Sequence, residues 1–510
     1  MLVTMRFKSY ILFECLLVFL FSYIVFSTFI FPTYYLPTHD GLFHFKMAEL
    51  ILNEGPWVDI RWLPLTVLGE HGTDHQWLWH VLITPFTLIS SPEWGLKIAI
   101  VFMGALVPAV LCYIARTLRI PYAPAWAISA VVAGSMMPDR ILMLRTQNLG
   151  IIFISLSILF LHRQHYKKLI LVSFAFIQSY HAAVILFPIA ILSIFVDIAN
   201  KKKISIFNFA CVFFGISMGL ILSPWFPENI DYLLFHTIFK TLNPIEASVG
   251  VEWASKHIRT SLLAVWPTLL IIPLLFISVW YRTLKSDTML WLCCTGLLFA
   301  FYLFSFRFGE YFVPIAIISL GMIVRDFVWV NSKPNRLMIM FSHIVVCVLM
   351  LLPAGERIAA HKMGNIEKYK EVAKYLELHA KPGELIYNFF WSDFVNLHWQ
   401  TRSFNYVSGL DDNYLLYQNP RLHKFYNELY NVSLLPDGYT IRAAQLICSV
   451  FNSRWVIIAQ SYDADSNRLR EILEQSKDAE KVLHNQWGAL FQINLPQCQP
   501  PAATTLGNSR

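Results

Sequence analysis

Long apolar runs separated by short polar turns make up the first 354 residues of the chain. The first run, in "MLVTMRFKSYILFECLLVFLFSYIVFSTFIF", follows a basic start and is too long for the core of a signal peptide, so it predicts an uncleaved span. Most later runs have roughly 17 to 22 residues, enough to cross a bilayer. The pattern predicts about eleven transmembrane helices. The later ones begin near Leu96, Ala123, Gln147, Leu169, Ala183, Ser205, Ser261, Met289, Glu310 and Arg336.

The pattern changes after about residue 354. "IEKYKEVAKYLELHA" and "SNRLREILEQS" have a helical apolar period, and "KPGELIYNFF" predicts a turn leading into a strand. "AAQLICSVFNSRWVIIA" predicts a helix followed by a strand, and "KVLHNQWGALFQIN" a hairpin around Asn485 to Gly488. We therefore predict a soluble α/β domain over residues 355–496 and a disordered tail over residues 497–510.

The basic residues predict the orientation of the spans. They fall on one side of the membrane when the spans alternate, and that side is expected to be the cytoplasm. The segment Trp77 to Ile89 is too short to cross, so we interpret it as re-entrant or interfacial. The N-terminus is then cytoplasmic, whereas the long loop 32–94 and the C-terminal domain lie outside. The basic groups are Arg6 and Lys8, Arg116 and Arg119, Arg163 with Lys167 and Lys168, Lys201 to Lys203, Arg282 with Lys285, and Arg325 with Lys333 and Arg336.

Composition supports a polytopic membrane protein. The 510 residues are 56% hydrophobic and only 14% charged, whereas a soluble domain has near 25% charged residues. The net charge of +7 does not indicate nucleic-acid binding, because the basic residues lie in short clusters between spans. Six of the eight cysteines lie in apolar segments without metal-ligand spacing. Cys448 and Cys498 could form a disulfide if the C-terminal domain lies outside the cytoplasm.

The predicted topology places many polar residues of the membrane half on one extracytoplasmic face. Ionisable groups beside hydrocarbon are costly, so their grouping indicates a functional site. These residues are His39, Asp40, His44, Asp74, His75, Arg140, Arg145, His181, Glu252, Arg307 and Glu310.

The segment "HDGLFHFKMAELILNEG" follows directly after the first span. Its apolar positions between Gly41 and Glu54 predict an amphipathic helix lying along the membrane surface. Asp40 lies near its start, with His44 four residues later on the same face. In one interpretation Asp40 caps the helix and His44 is interfacial. A chemical role is favoured by a second acid and imidazole pair in the same loop and by the lack of a basic neighbour of Asp40 in the sequence.

This arrangement resembles the GT-C superfamily of integral membrane glycosyltransferases. The resemblance rests on the uncleaved first span, the long loop that opens with an acidic residue and a surface helix, the many spans and the α/β domain. It implies a bacterial inner-membrane enzyme that transfers a sugar from a polyprenyl-phosphate donor to a periplasmic glycan, lipid or protein acceptor. It also implies that Asp40 is the catalytic base or a metal ligand. The segments that look similar are "HDGLFHFKMAELILNEG", "RTQNLG", "SYHAAVILFP", "SPWFPENIDYLLFH", "VEWASKH" and "FRFGEYFVPIAI".

Two departures limit what the resemblance implies. Asp40 follows Thr38 and His39, so the loop has no DxD pair and a divalent metal cofactor stays open. The acceptor motif WWDYG is absent, and "FWSDF" is only loosely similar to it, so Asn-linked glycosylation is not inferred. A zinc site from His39, His44, Asp74 and His75 is a further hypothesis, although its spacing matches no standard motif.

The chemistry also makes sense from the residues alone. A sugar acceptor hydroxyl must lose its proton, which a carboxylate within hydrogen-bond reach can accept. The lipid phosphate that leaves carries negative charge. The planar guanidinium groups of Arg140, Arg145 and Arg307 are suited to bind it. The alternatives are interfacial arginines, an Arg307–Glu310 ion pair and a packing role for His181. We assign His44, Asp74, His75, His181, Glu252 and Glu310 with these arginines to substrate binding.

Two other classes of protein fit the composition. A transporter or lipid flippase would also be polytopic, but its charges would lie near mid-membrane, often with internal repeats. A non-catalytic membrane scaffold would not require charges clustered on one face.

The topology leads to a direct prediction. A reporter that works only in the cytoplasm should be inactive when it is fused after Asn494 and active when it is fused after Lys203. Activity of the Asn494 fusion would show that the predicted orientation is wrong.

Overall fold

The computed structural model forms two compact units. Unit 1 contains Met1–Pro56, His75–Leu242 and Gly250–Gly364, and unit 2 contains Trp57–Asp74 and Asn365–Arg510 together with Asn243–Val249. The structure describes residues 2–33, 35–36, 39–134, 137–202, 206–239, 257–280, 284–330, 364–430, 442–460 and 464–498. The predicted span near Arg336, the site candidate Glu252 and most of the predicted tail 497–510 lie outside these residues.

Unit 1 is helical. Its helices, with one helix of unit 2 named in chain order, are α1 Leu2–Ile30, α2 Asp40–Glu54, α3 Val67–His71 of unit 2, α4 Trp77–Thr87, α5 Pro92–Thr117, α6 Ala123–Val132, α7 Met137–Ile141, α8 Gln147–Arg163, α9 Tyr166–Ser179, α10 Leu186–Ala199, α11 Ile206–Ile221, α12 Glu228–Leu234, α13 Ile258–Ala264, α14 Ile271–Trp280, α15 Ser286–Phe304 and α16 Gly309–Val330. Short 3₁₀ turns at His181–Ile185, Trp266–Leu270 and Phe306–Phe308, and a π-helical turn at Phe235–Phe239, lie between them.

Five described segments are long and apolar enough to cross a membrane, or six if one bent pair is counted as a single span. Other predicted spans coincide with shorter apolar helices, such as the ten residues of α6. The membrane-helical class is therefore confirmed, whereas the count of about eleven stays a prediction. Helix α4 has 11 residues, fewer than a span needs. The five segments are Tyr10–Ile30, Pro92–Thr117, His181–Ala199, Ser286–Phe304 and Phe306–Asp326.

Helix α2 differs from its predicted form. The sequence predicts a helix with one apolar face at the membrane surface, but residues on several sides of α2 are buried inside unit 1. Leu42, Met47 and Ala48 are fully buried, and only the last turn, Leu52 to Glu54, is exposed. Helix α2 packs against α4 and α5, so protein covers more of it than the predicted apolar face. Its position at the membrane surface stays a prediction.

Charged side chains inside unit 1 are held in networks. Arg325 of α16 binds Asp287 at 2.8 Å and donates to the Leu118 carbonyl at 2.7 Å. Asp326 accepts from Arg325 and from Thr288. On the same helix, Glu310 lies fifteen residues before Arg325, about 22 Å away along the helix axis. The two ends of α16 therefore carry separate charged clusters.

Unit 2 contains a mixed five-stranded sheet with the order β4-β3-β5-β7-β6. Strand β3 is parallel to β4 and β5, whereas β7 is antiparallel to both β5 and β6. The predicted hairpin is present, with Asn485 paired to Gly488. The strands are β1 Tyr35–Leu36 of unit 1, β2 Gly364–Asn365, β3 Leu385–Asn388, β4 Asn405–Tyr406, β5 Trp455–Ala459, β6 Ala479–Asn485 and β7 Gly488–Ile493.

Helices complete unit 2 around a buried core. Every residue of β5 is buried, so it is the central strand of the core. A disulfide joins Cys448 to Cys498, with Cα atoms 5.4 Å apart. The helices are α17 Lys370–His379, α18 Asp393–Gln400, α19 Asn413–Gln418, α20 Pro420–Tyr430, α21 Ala443–Phe451 and α22 Ala464–Gln475.

Unit 2 also includes part of the first long loop. The Tyr406 amide donates to the Trp62 carbonyl at 2.8 Å, and the Trp62 indole donates to the Arg402 carbonyl at 2.9 Å. The Trp62 ring meets the His398 ring edge to face at 4.5 Å. The compact units therefore divide the chain differently from the boundary predicted near residue 354, because Trp57–Asp74 groups with the C-terminal part.

Candidate functional site

The candidate site begins at the first residue of α2. Asp40 occupies this position, and the preceding His39 makes no side-chain cap bond. The Asp40 carboxylate pairs with Arg145 at 2.5 Å and keeps 41% of its side chain exposed, compared with 13% for Arg145. A carboxylate in the first turn also interacts favourably with the helix dipole. Asp40 is thus an ion-paired, accessible carboxylate within the helix, and the interpretation of Asp40 as the N-cap is wrong.

Gly41 allows this ion pair to form. A Cβ atom at position 41 would lie 3.2 Å from the Leu144 Cβ, which is tighter than an ordinary contact. Leu144 directly precedes Arg145 in the turn after α7. The close approach of α2 to this turn therefore depends on the missing side chain, and it places Asp40 within reach of Arg145.

A buried asparagine holds the same turn in place. Asn148 donates from its carboxamide to the carbonyls of Ile141, at 3.1 Å, and Met143, at 3.4 Å. It is 2% exposed, so losing these bonds would leave buried carbonyls to be satisfied elsewhere. Asn148 thereby fixes the backbone between Arg140 and Arg145 and positions both guanidinium groups.

A second ion pair lies next to the first in the chain. Arg140 binds Glu310 at 3.0 Å, and the Glu310 side chain is only 2% exposed. The sequence offered Arg307 as an ion-pair partner for Glu310, and the structure adds Arg140, which the sequence did not pair with it. A buried carboxylate is stable only with such a partner.

The buried hydroxyl of Tyr180 is under the influence of several of these charged side chains. Burial raises the pKa of Tyr180, and the charges of Arg307, Glu310 and Arg145 act on it as well. Arg307 lies half-buried in the 3₁₀ turn that precedes α16. The structure therefore brings Arg145, Arg307 and Glu310 into one electrostatic neighbourhood around a buried phenol.

His44 lies on the buried side of α2. Its Nδ1 is 2.9 Å from Nε2 of His80 on α4, and its ring meets Trp79 edge to face. Burial, reinforced by His80 and Arg145, holds the pKa of His44 well below its usual range. His44 is therefore a neutral, buried imidazole, and the interpretation of it as interfacial is wrong.

A cluster of three histidines lies in the same unit. The ligand atoms of His75, His181 and His236 all lie within 4.8 Å of one another. The His181 and His236 rings stack at 4.2 Å, and the Tyr232 hydroxyl lies 3.3 Å from Nε2 of His75. His75 acts electrostatically on His44.

The zinc set suggested by the sequence is not the set that the structure groups. His75 lies with His181 and His236, whereas His44 bonds to His80. Asp74 is buried and belongs to unit 2. Glu252 lies outside the described residues, so its assignment stays a prediction.

Sequence reasoning missed several residues of this neighbourhood. His80 and His236 stand as single histidines inside apolar stretches, "WLWHVLI" and "LLFHTIF". A polar residue in such a stretch is itself a signal, because it needs a partner when buried. Tyr180 and Asn148 gave no such signal, since their roles depend on packing across the chain.

Comparison with known proteins shows a likeness of fold. The described residues include helices long and apolar enough to cross a membrane. The chain is similar to ArnT from Cupriavidus metallidurans, a GT-C glycosyltransferase whose apo crystal structure is known. The TM-score is 0.55 and the sequence identity 11%, over 96% of this chain and 99% of that chain. Searches against protein-family models and curated proteins give no match. The likeness shows the fold alone, and it confirms the predicted GT-C-like architecture in general form.

The neutral His44 predicts an effect of pH on stability. Below about pH 6.5 an unfolded histidine binds a proton that the folded His44 does not. The stabilisation is therefore present above that pH and is lost as the pH falls, by up to about 1.4 kcal/mol per pH unit. The midpoint of thermal unfolding in a nonionic detergent should fall between pH 7.5 and 5.5. His44→Gln should flatten this dependence, and His165→Gln, at an exposed position, should not. Parallel curves for wild type and His44→Gln would contradict the assignment.

Proposed function

We propose that this protein is an integral membrane glycosyltransferase. It transfers a sugar from a polyprenyl-phosphate donor to an acceptor hydroxyl outside the cytoplasm. The observation that carries the proposal is the Asp40–Arg145 pair: an accessible carboxylate is held by an arginine within an ArnT-like fold. A carboxylate with nearby arginines suits a reaction in which a hydroxyl is deprotonated and a phosphate leaves.

Asp40 acts as the general base. Its carboxylate accepts the proton of the acceptor hydroxyl while that oxygen bonds to the anomeric carbon of the sugar. The bond between the anomeric carbon and the phosphate oxygen breaks, and the electron pair leaves with the polyprenyl phosphate. Arg145 holds the carboxylate in position, because the ion pair fixes one of its oxygens. The exposed part of Asp40 is the part that can meet an acceptor.

The arginines bind the phosphate. Arg140 is already paired with the buried Glu310, so it contributes positive potential and orientation. Arg307 lies in the middle of the 3₁₀ turn that precedes α16, and its charge acts on the same buried Tyr180 as those of Arg145 and Glu310. A planar guanidinium can donate two parallel hydrogen bonds to phosphate oxygens. We therefore assign Arg307 to the donor phosphate. We assign His44, Asp74, His75, His181, Glu252 and Glu310, with Arg140 and Arg145, to the lining of the substrate site.

The site faces outward from a bacterial inner membrane. In this proposal the N-terminus is cytoplasmic and unit 2 is periplasmic, as the basic loops indicate. The disulfide between Cys448 and Cys498 supports this orientation, because such bonds persist in oxidising compartments. The partners are then the lipid-linked sugar, membrane lipid and a glycan, lipid or protein acceptor.

The role of Asp40 leads to a kinetic prediction. Asp40→Asn keeps the size of the side chain but removes the proton acceptor, so transfer should slow by about 10²–10⁴. The measurement is release of polyprenyl phosphate from radiolabelled lipid-linked sugars extracted from bacterial membranes. Glu54→Gln, an exposed carboxylate at the other end of α2, should transfer at the wild-type rate. Near-normal transfer by a folded Asp40→Asn variant would rule out Asp40 as the base.

The role of Arg307 is tested by a conservative change. Arg307→Lys keeps the charge but loses the paired donors, so the KM for the donor should rise by about tenfold or more while the fold stays intact. Lys424→Arg, at an exposed position of unit 2, is the control for a basic exchange. An unchanged KM would mean that Arg307 serves packing or charge balance and does not contact the phosphate.

A further inference from the structure

Three imidazoles meet in unit 1 although they come from distant parts of the chain. His75 lies two residues before the start of α4, His181 begins a 3₁₀ turn, and His236 lies in the π-helical turn Phe235–Phe239. Their ligand atoms lie within 4.8 Å of one another. The His75 ring is 5.7 Å from the His181 ring and 5.6 Å from the His236 ring, centroid to centroid. Three separate segments therefore converge on one small volume.

We propose that His75, His181 and His236 bind one Zn²⁺ ion. Imidazole nitrogen is a preferred zinc ligand, at about 2.0–2.1 Å from the metal. In a tetrahedral site with that bond length the ligand nitrogens lie about 3.3 Å apart. The observed spread of up to 4.8 Å is larger by about one and a half ångströms. The His181 and His236 rings stack with 21° between their planes, so the rings must rotate about their side-chain bonds before their nitrogens can point at one ion. Metal binding supplies the free energy for that rotation.

The surroundings of the cluster suit a metal centre. Nδ1 of each of the three histidines is buried, so the ligands are shielded from bulk water. Tyr232 contacts the cluster from α12: its hydroxyl lies 3.3 Å from Nε2 of His75, and its ring is 4.5 Å from that of His236. Metal-ligating histidines are commonly oriented by such an outer contact. Tyr232 is therefore a positioning residue of the proposed site.

Three protein ligands leave a fourth position. Zinc sites with three protein ligands bind water or an oxyanion there, whereas structural sites with four protein ligands are closed. The three imidazoles are neutral as ligands, so the ion keeps its double positive charge and favours an oxygen anion as the fourth ligand. His75 and His181 also line the proposed substrate site, but zinc binding is measured directly, so its outcome does not depend on whether the proposed transfer reaction occurs.

Zinc binding can be measured directly on the full chain. The protein should be purified in detergent with a tag that contains no histidine, because a polyhistidine tag binds zinc. After equilibration with micromolar Zn²⁺ and gel filtration, elemental analysis should give one zinc per chain. His181→Gln and His236→Gln should each weaken zinc binding by more than about a hundredfold, since even loss of an outer partner costs 10–100-fold. His165→Gln, at an exposed position, should bind as wild type does.

X-ray absorption at the zinc edge tests the site without any variant. Wild-type protein should show three imidazole ligands at about 2.0 Å and one further oxygen ligand. Absence of bound zinc in the wild type would overturn the proposal, whether or not the variants fold. Full zinc retention by the His181→Gln, His236→Gln double variant would overturn it equally.

Discussion

Charge pairing is the constraint on which unit 1 depends. A charged side chain at the centre of a membrane span costs about 2.5–3.5 kcal/mol even by the lowest scales. Removing one partner of a buried ion pair costs about 3–5 kcal/mol, because the other charge stays buried. The buried pair of Arg140 with Glu310 meets this constraint. The pair of Arg145 with Asp40, whose carboxylate is 41% exposed, lies on the other side of the same turn and is more weakly coupled because solvent screens it. The groups suited to bind a phosphate and accept a proton are therefore also groups that hold the bundle together. For this reason, isosteric substitutions separate chemistry from stability better than alanine does.

The periodicity of apolar residues predicted helices and strands better than it predicted which side chains contact each other. The helix after Asp40, the short helix from Trp77 and the hairpin around Asn485 to Gly488 are all where the periodicity indicates. The partner of Asp40 could not be predicted in this way, because Arg145 lies 105 residues further along the chain. Sequence proximity pointed only to Arg307, one helical turn from Glu310, and could not indicate the ion pair with Arg140, which lies 170 residues earlier in the chain.

The extent to which protein covers α2 could not be predicted for a similar reason. An apolar period shows that one side of a helix avoids water, but it does not show whether lipid or protein covers the rest. In α2 both sides are covered by protein, and the close packing at Gly41 is visible only once Leu144 is in place. The sequence could not predict that the histidines lie together either, because each is a single residue in its own segment. Only the fold reveals that His75, His181 and His236 share a site.

Membership of Trp62 in unit 2 has a consequence for biosynthesis. Its indole bonds to a carbonyl 340 residues further along the chain. At translation rates of about 5–20 residues per second, those residues follow roughly 20–70 s later. During that interval the loop segment 57–74 has been made but its sheet has not. The segments of unit 2 are therefore synthesised at different times, and the unit cannot assemble until the end of the chain has been made. A chain released early would leave this segment without the surface that buries Trp62.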